Sequence, residues 1–503
     1  MARDVLSVSD TADGYSEREF GAATFATFDP SLSTHRAAAV ALYARFEAVG
    51  FGAAPAGALF GLNEIGAVQA GRSAYYDAFT LPHNPAGDTA RFFVLHDTIA
   101  DGALRALLGD DLVSFLIELA AIVEVEGGWR SIVSATWLAG RLIFSDARAS
   151  DIVWPADLFA DYVMPPGGDS VGLTRVAPRV ARRATLDLCC GAGAQALAAT
   201  AYSRRVVGVD LNPRALRFAR FNAAVNAIEN ATFLLGDCYD PIGSERFDAI
   251  LANPPFVPWP ADGTELLFRG GGRRGDDVLA RILAGAVERL EPHGSLAIVA
   301  DLADTDTLPA RIAKWQGVPR RTLLLIEQSY DLLSYAETHT GHLRGGARET
   351  LLVRLLRHFD ACAIHSIDFG YVLQDGEPGS THVVRTSAPL AGSIADDVGA
   401  WFLHQQRLGR GDIDEIVLEL APGLRVTREF AMTRDGRIAA SSAALPGSGS
   451  MLGVTPISAI ALSVLDRIAT GGAHARDFVE TQEARELTRL LDQGLIRLRS
   501  QLR

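Results

Sequence analysis

The chain has 503 residues, 48% hydrophobic and 21% charged, with a formal net charge of -13. That allows two to four domains of ordinary soluble composition, and its acidic field repels phosphate, which weighs against a nucleic acid partner without excluding one. The four cysteines, Cys189, Cys190, Cys238 and Cys362, form no C-x-x-C pair, which argues against a zinc site.

The first section, 1–155, opens on MARDVLSVSD, which lacks the basic-then-apolar layout of a signal peptide. Alanine- and leucine-rich runs at helical spacing follow, HRAAAVALYARFEAVG (35–50) and DDLVSFLIELAAIVEV (110–125). GGWRSIVSATWLAGRLIFSD (127–146) reads as a short strand pair. Helices before a hairpin suggest a winged-helix-like module, and the acidic balance favours a packing and substrate-shaping cap over a DNA reader.

The second section, 156–358, alternates apolar strands with helices. Strands are expected at 184–190, 205–210, 231–237, 247–253, 294–301 and 322–328, with ETLLVRLLRH (349–358) as a seventh. Such alternation implies an α/β fold, a mostly parallel sheet covered on both faces. In the third section, 359–503, strands alternate around Pro422-Gly423 and Asp435-Gly436, then helices and a short terminal strand close an α+β unit. It resembles a second winged-helix-like module, and no chemistry can be assigned to it.

Chemistry concentrates in the second section. LDLCCGAGAQALA (186–198) puts a glycine loop between a strand and a helix. Gly191 and Gly193 let the backbone turn tightly and approach a ligand, and the following helix points its first N–H groups at it. Asp210 ends the next strand, where a carboxylate can accept both hydroxyls of a ribose. Leu211 follows it on the same cofactor-facing edge. Gly191, Gly193 and Ala196 also satisfy G-x-G-x-x-A, so on these residues a methyltransferase, a dinucleotide enzyme and a ligand-free turn all stand.

Two further features favour the first. The third strand ends in Gly236-Asp237-Cys238, with Asp237 placed to accept an adenine amino group and the Cys238 N–H to reach the ring. The fourth ends in Asn253-Pro254-Pro255-Phe256. At the C-terminal edge of such a sheet this turn lies beside the glycine loop. Two prolines stiffen it and remove two donors. The Asn253 side-chain oxygen and the Pro254 carbonyl remain to hold the N–H groups of a planar nitrogen, and Phe256 offers a stacking face. Such holding would favour a tetrahedral nitrogen with its lone pair aimed at a methyl group.

With these residues the chain resembles class I S-adenosylmethionine-dependent methyltransferases carrying an N/D-P-P-Y/F motif. Within them it is similar to release-factor glutamine N-methyltransferases and related ribosomal-protein, RNA and adenine-N6 enzymes. The resemblance covers about 160–358. It implies a Rossmann-like seven-stranded sheet with the last strand antiparallel, and S-adenosylmethionine as cofactor. Carried over, Asp187, Gly191 and Gly193 form the cofactor loop, Asp210 binds ribose, Asp237 adenine, and Asn253 to Phe256 the acceptor nitrogen. Cys189 stands where the family often has the first loop glycine.

Three secondary features remain. Asp169 or Ser170 is expected to cap a helix over the cofactor. LLFRGGGRRGDD (266–277) reads as a mobile lid whose Arg269, Arg273 or Arg274 can meet an acidic substrate group, or as a solvated loop. His339 and His342 lack the companions of a metal site, so none is expected.

The resulting expectation is a cytoplasmic N-methyltransferase, without a membrane span, acting on a small molecule, peptide or protein. Oxygen as acceptor atom stays open. The rivals are an RNA or DNA base N-methyltransferase, a nicotinamide-dependent oxidoreductase and a non-catalytic cofactor-binding regulator. Oligomeric state is not legible.

Overall fold

The computed structural model describes residues 23–62, 73–147, 161–261, 268–341, 343, 345–386, 393–410, 417–421, 423–432, 438–445, 455–471, 473–478, 481–492 and 495–498. The N-terminal decapeptide, the turn at Asp435-Gly436 and His342 lie outside them. The chain divides into two compact units, one of residues 1–165 with 213–227 and one of 166–212 with 228–503.

In the first unit the helices Ser33–Ala48, Asp101–Leu108 and Asp110–Glu118 precede two hairpins. β1 (Ile122–Val125) pairs with β2 (Gly128–Ser131), and β3 (Val133–Leu138) with β4 (Arg141–Asp146), so the expected strand pair becomes two hairpins. Residues 122–125, expected to continue the preceding helix, are β1, because the helix ends at Glu118 and Ala120 takes a left-handed φ of 48°.

The helix Pro213–Val225 belongs to this unit. It meets β4 through polar groups four residues apart, which share a helix face. The Asn222 side chain accepts from Phe144 N at 2.8 Å and donates to Phe144 O at 2.8 Å. Asn226 repeats the pattern on Leu142, at 2.9 and 2.7 Å. Arg214 forms a buried two-pronged ion pair with Asp146.

The second unit is built on an eight-stranded mixed sheet. Its strands are β5 (Arg182–Leu188), β6 (Ser203–Asp210), β7 (Ala231–Leu235), β8 (Phe247–Ala252), β9 (Leu290–Ala303), β10 (Arg320–Tyr330), β11 (Ile367–Pro378) and β12 (Thr381–Arg385). Their spatial order is β12-β10-β11-β9-β8-β5-β6-β7. β5 to β9 run parallel, whereas β11 is inserted antiparallel between β9 and β10.

The first six expected strands are present. The seventh is corrected: residues 349–358 lie within the helix Gly345–Ala361. Leu351, Leu352, Leu355, Leu356 and Phe359 repeat at three and four residues and face one apolar cluster, a helical period. The antiparallel seventh strand is β11, and β12 adds an eighth, parallel to β10, so the expected count of seven is one short.

C-terminal to the sheet lie the helix Ala395–Arg410, β13 (Leu418–Leu420), the three-stranded sheet of β14 (Arg425–Met432), β15 (Ile438–Leu445) and β16 (Thr455–Ile457), the helices Ala459–Ala469 and Thr481–Asp492, and β17 (Ile496–Leu498) paired with β13. This segment mixes helices and strands among the described residues, but the expected boundary at 358/359 is corrected: β11 and β12, within 367–385, belong to the large sheet because they pair with β9 and β10.

Replacing Asn222 with Ala strands the N–H and C=O of Phe144 in the interior. We expect a loss of about 1–3 kcal/mol, read as a lower urea midpoint at unchanged slope.

Candidate active site

The sheet reverses its winding direction between β5 and β8. Strands β6 and β7 are added on one side of β5, and the chain then crosses back to place β8 on the other. Loops leaving the C-terminal ends of these two strands therefore flank one crevice. Leu188 is paired directly with Ala252, so Cys189 and Asn253 leave the sheet side by side.

The glycine loop is shaped by a run of left-handed backbone. Cys189, Gly191 and Gly193 have φ of 56°, 53° and 83°. At Gly191 an added Cβ would meet nothing within 4 Å, leaving open space over the loop. Cys189 thus keeps the backbone that a glycine would adopt freely, at the strain cost of a Cβ.

Two carboxylates lie beneath the loop. Asp210 accepts from Gly191 N at 2.7 Å with one oxygen and from Asn212 N at 2.8 Å with the other. The carboxylate has about four lone-pair sites in all, so acceptor capacity remains for a further donor. Asp187 is buried, accepts from Ala196 N at 2.8 Å through Oδ2, and leaves Oδ1 buried without a partner. Burial pushes its carboxyl up to about 8, opposed by the Ala196 bond and reinforced by the charge of Asp210. Burial also raises Asp210.

Leu211 is 52% exposed beside Asp210, an apolar surface open to solvent among the described residues. Asp237, expected to meet an adenine amino group, forms an ion pair with Arg281 at 2.7 Å. Sequence reasoning missed Arg281, whose helix, Asp277–Arg289, begins 24 residues after Asn253. Cys238 is buried with a left-handed φ of 50°.

The Asn253 amide nitrogen donates to Asp169 Oδ2 at 2.9 Å and to Ser170 Oγ at 3.1 Å. A carboxylate only accepts, so the nitrogen must face Asp169 and Oδ1 must face away. The N-cap position itself is Gly167, while Asp169 Oδ1 accepts from Ser170 N at 2.7 Å within the first turn, so Asp169 serves the helix start with one oxygen and Asn253 with the other. Both also orient Asn253. The helix Gly168–Val176 is fixed in turn by Gln195, which donates to Ser170 O at 2.8 Å. Its Gly172 lies against Tyr371, whose hydroxyl occupies the space a Cβ would need.

The described part of the supposed lid, 268–277, is a bracket. Val257 N donates to Arg269 O, Gly271 N to Val257 O and Trp259 N to Gly272 O, each at 2.9 Å. A Cβ on Gly271 would approach Phe256 Cα at 2.7 Å, and one on Gly275 would approach Phe256 O at 2.3 Å. The glycines thus allow the loop to clasp the backbone of the Asn-Pro-Pro-Phe turn. Arg274 is committed to Asp304 at 2.6 Å and to Cys362 O at 2.5 Å, and Arg269 to His339 O at 3.3 Å. Leu266 and Leu267 lie outside the described residues. Partly exposed Phe256 packs against two apolar clusters, one containing Tyr335.

Asp301, near the end of β9, carries no signal in the sequence beyond its strand. It is buried and accepts from the Tyr335 hydroxyl at 2.8 Å. Burial raises its carboxyl to about 7, against the Tyr335 bond and with the charge of Asp169. No metal-binding group of three or more His, Cys, Asp or Glu occurs among the described residues.

A family model described as the methyltransferase small domain matches residues 168–307, which hold nearly all of this site. A Methanocaldococcus jannaschii protein named "Putative protein N5-glutamine methyltransferase" is 31% identical over 142 residues, 27% of this chain and 71% of that protein. The chain belongs to this methyltransferase family.

Two other relatives are a ribosomal protein uL3 glutamine methyltransferase of Bradyrhizobium diazoefficiens and a release factor glutamine methyltransferase of Geobacter sulfurreducens. Each is 34% identical, over 26% and 27% of this chain. The matches span only 44% and 50% of those relatives' own lengths. Membership of a methyltransferase family removes the support for a nicotinamide-dependent oxidoreductase.

Two outcomes test this geometry. Cys189→Gly should fold with unchanged or higher Tm, while Cys189→Val, β-branched at positive φ, should lower stability by about 1–3 kcal/mol. For Asp187 the folded carboxyl titrates near 8 and the unfolded one near 3.8. Between these values the folded state binds the extra proton, so stability falls as pH rises through the window. Asp187→Asn should flatten that part of the stability curve, measured by urea unfolding at several pH values from 5 to 8.

Proposed function

We propose that the chain is an S-adenosylmethionine-dependent N-methyltransferase acting on a planar amide or guanidine nitrogen of a peptide or protein. The observation that carries this reading is Asn253. Its nitrogen is held by Asp169 and Ser170, which turns its oxygen outward beside the glycine loop. The residues beneath the loop fit the cofactor. The orphaned Oδ1 of Asp187 suits an ammonium group, the free lone pairs of Asp210 suit ribose hydroxyls, and exposed Leu211 suits the face of adenine. Asp237 would reach the adenine amino group while keeping Arg281, and the N–H of Cys238 would serve the ring.

When bound, the cofactor supplies an electrophilic methyl on a sulfonium. The chain's own contribution is positioning. Asn253 Oδ1 and the Pro254 carbonyl hold the two hydrogens of the acceptor nitrogen, which biases it toward a tetrahedral form. Phe256 stacks on the flat acceptor group, and Pro254 and Pro255 fix the turn against rotation. A protein acceptor is preferred because the relatives act, by name, on a ribosomal protein or a release factor. The net charge of -13 argues in the same direction, away from nucleic acid.

In this reading the catalytic section, expected at 156–358, runs on through β12 to Arg385, and the segment after it is accessory. A cytoplasmic setting fits four free cysteines. No helix of the described residues is long and apolar enough to cross a membrane.

Calorimetric titration should give saturable binding of S-adenosylmethionine and S-adenosylhomocysteine, none of NAD, and loss of both in Asp210→Ala. Binding of NAD alone would refute the reading. With tritiated S-adenosylmethionine and purified bacterial release factors and ribosomal proteins as acceptors, label should appear on protein. Asn253→Ala should cut kcat by about 100-fold or more while S-adenosylhomocysteine affinity stays within a few fold.

A further inference from the structure

The acceptor side of the turn contains a polar group that the proposed mechanism does not use. β9 lies next to β8 in the sheet, with Ile298 paired to Ala252, so Asp301 emerges three residues further on beside the Asn-Pro-Pro-Phe turn. Two titratable side chains of the helix Leu332–Thr340 converge on it. The Tyr335 hydroxyl donates to Asp301 Oδ2 at 2.8 Å, and His339 Nε2 stands 3.9 Å from the same oxygen. The two rings contact each other, with centroids 4.4 Å apart.

Other charged groups face this cluster. Asp169, the partner of Asn253, acts on Asp301 electrostatically from the helix Gly168–Val176. Tyr330 of β10 feels the charge of Asp301, and Arg269 acts on Tyr335. On β11 the residue opposite Asp301 is Phe369, which does not titrate. Tyr335 also belongs to the apolar cluster on which Phe256 rests.

We infer that Asp301, held by Tyr335 and backed by His339, takes the proton that the acceptor nitrogen sheds on methylation. The inference rests on the methyltransferase reading above. The nitrogen forms a bond to the methyl carbon as the carbon–sulfur bond breaks, and that bonding pair leaves on sulfur. The nitrogen is then cationic; one N–H leaves its carbonyl partner, its bonding pair stays on nitrogen, and its proton passes to the Asp301 carboxylate, which holds it as a neutral acid until it moves to His339 or solvent. A buried carboxyl that burial has raised to about 7 is poised for this work at neutral pH. An ordinary exposed carboxylate would be too weak a base.

The test needs no acceptor. Sinefungin carries a cationic amine where S-adenosylmethionine carries its methyl sulfonium, whereas S-adenosylhomocysteine carries a neutral thioether. A cation brought close to Asp301 should drive its ionisation and release its proton. Calorimetry at pH 7 in two buffers of different ionisation enthalpy counts the protons. Any release from Asp187 is common to both ligands and cancels in their difference. For the wild-type full chain we expect sinefungin to release about half a proton more than S-adenosylhomocysteine, since a group titrating near 7 is half protonated there.

In Asp301→Asn the difference should vanish while S-adenosylhomocysteine affinity stays within threefold. In Tyr335→Phe, which removes a bond that stabilises the carboxylate, the difference should grow. The second variant carries the test alone if the first does not fold. Binding of both ligands with a proton count unchanged by either variant overturns the role of Asp301 and leaves the methyltransferase reading intact. Failure of the wild type to bind either ligand sinks both together.

Discussion

The arrangement depends on one constraint, the parallel pairing of β5 with β8 at the point where the sheet reverses. Because Leu188 is in register with Ala252, the glycine loop and the Asn-Pro-Pro-Phe turn have no freedom to separate. Other features adjust to that pairing. The left-handed residues of the loop return the chain into a helix, the prolines stop β8 from extending, and the bracket of Gly271 to Gly275 holds the turn from its far side. A one-residue slip of β8 would invert each of its side chains and separate Asn253 from Asp169.

The second theme is the expense of buried carboxylates. Asp187, Asp210 and Asp301 all lie at the C-terminal edge of the sheet, and burial raises all three. Each is held by at least one N–H or O–H donor, but no arginine or lysine neutralises Asp187 or Asp210 among the described residues. Contrast Asp146, equally buried, which is met by the two-pronged Arg214. Asp146 serves structure and is compensated at once. The edge carboxylates keep capacity for a positively charged or hydrogen-donating visitor, and the fold carries that cost when the site is empty.

Much of this was legible in the sequence. Six strands of the sheet and the ordered series Gly191, Asp210, Asp237 and Asn253 follow from local rules: apolar runs, glycine freedom and proline stops. What failed was non-local. Residues 349–358 are apolar enough for a strand, and only their spacing of three and four, together with the partner cluster they meet, marks a helix. β11 is interrupted by Gly370, where a Cβ would strike Leu325 O, so its run looks weak to a periodicity argument. Asp169, Ser170 and Asp301 have no motif of their own. They matter because the fold brings them to Asn253 or its neighbour strand. Arg281 is similarly silent until its helix packs. In the described residues 268–277 the glycines clasp the turn, because glycine signals permissive backbone, which serves close packing as well as motion.

The helix Pro213–Val225 has a consequence for how the polypeptide is made. It completes the first unit, through Asn222, Asn226 and Arg214, yet it is encoded after β5, the glycine loop and β6. During vectorial synthesis the hairpin of β3 and β4 must wait for 68 to 84 further residues to leave the ribosome before its polar edge is satisfied, the separations of Asp146 from Arg214, Phe144 from Asn222 and Leu142 from Asn226. By then Asp210 and the loop are already synthesised. The amino-terminal unit therefore cannot finish folding as an independent early product, and its completion is timed to the appearance of the cofactor-side elements.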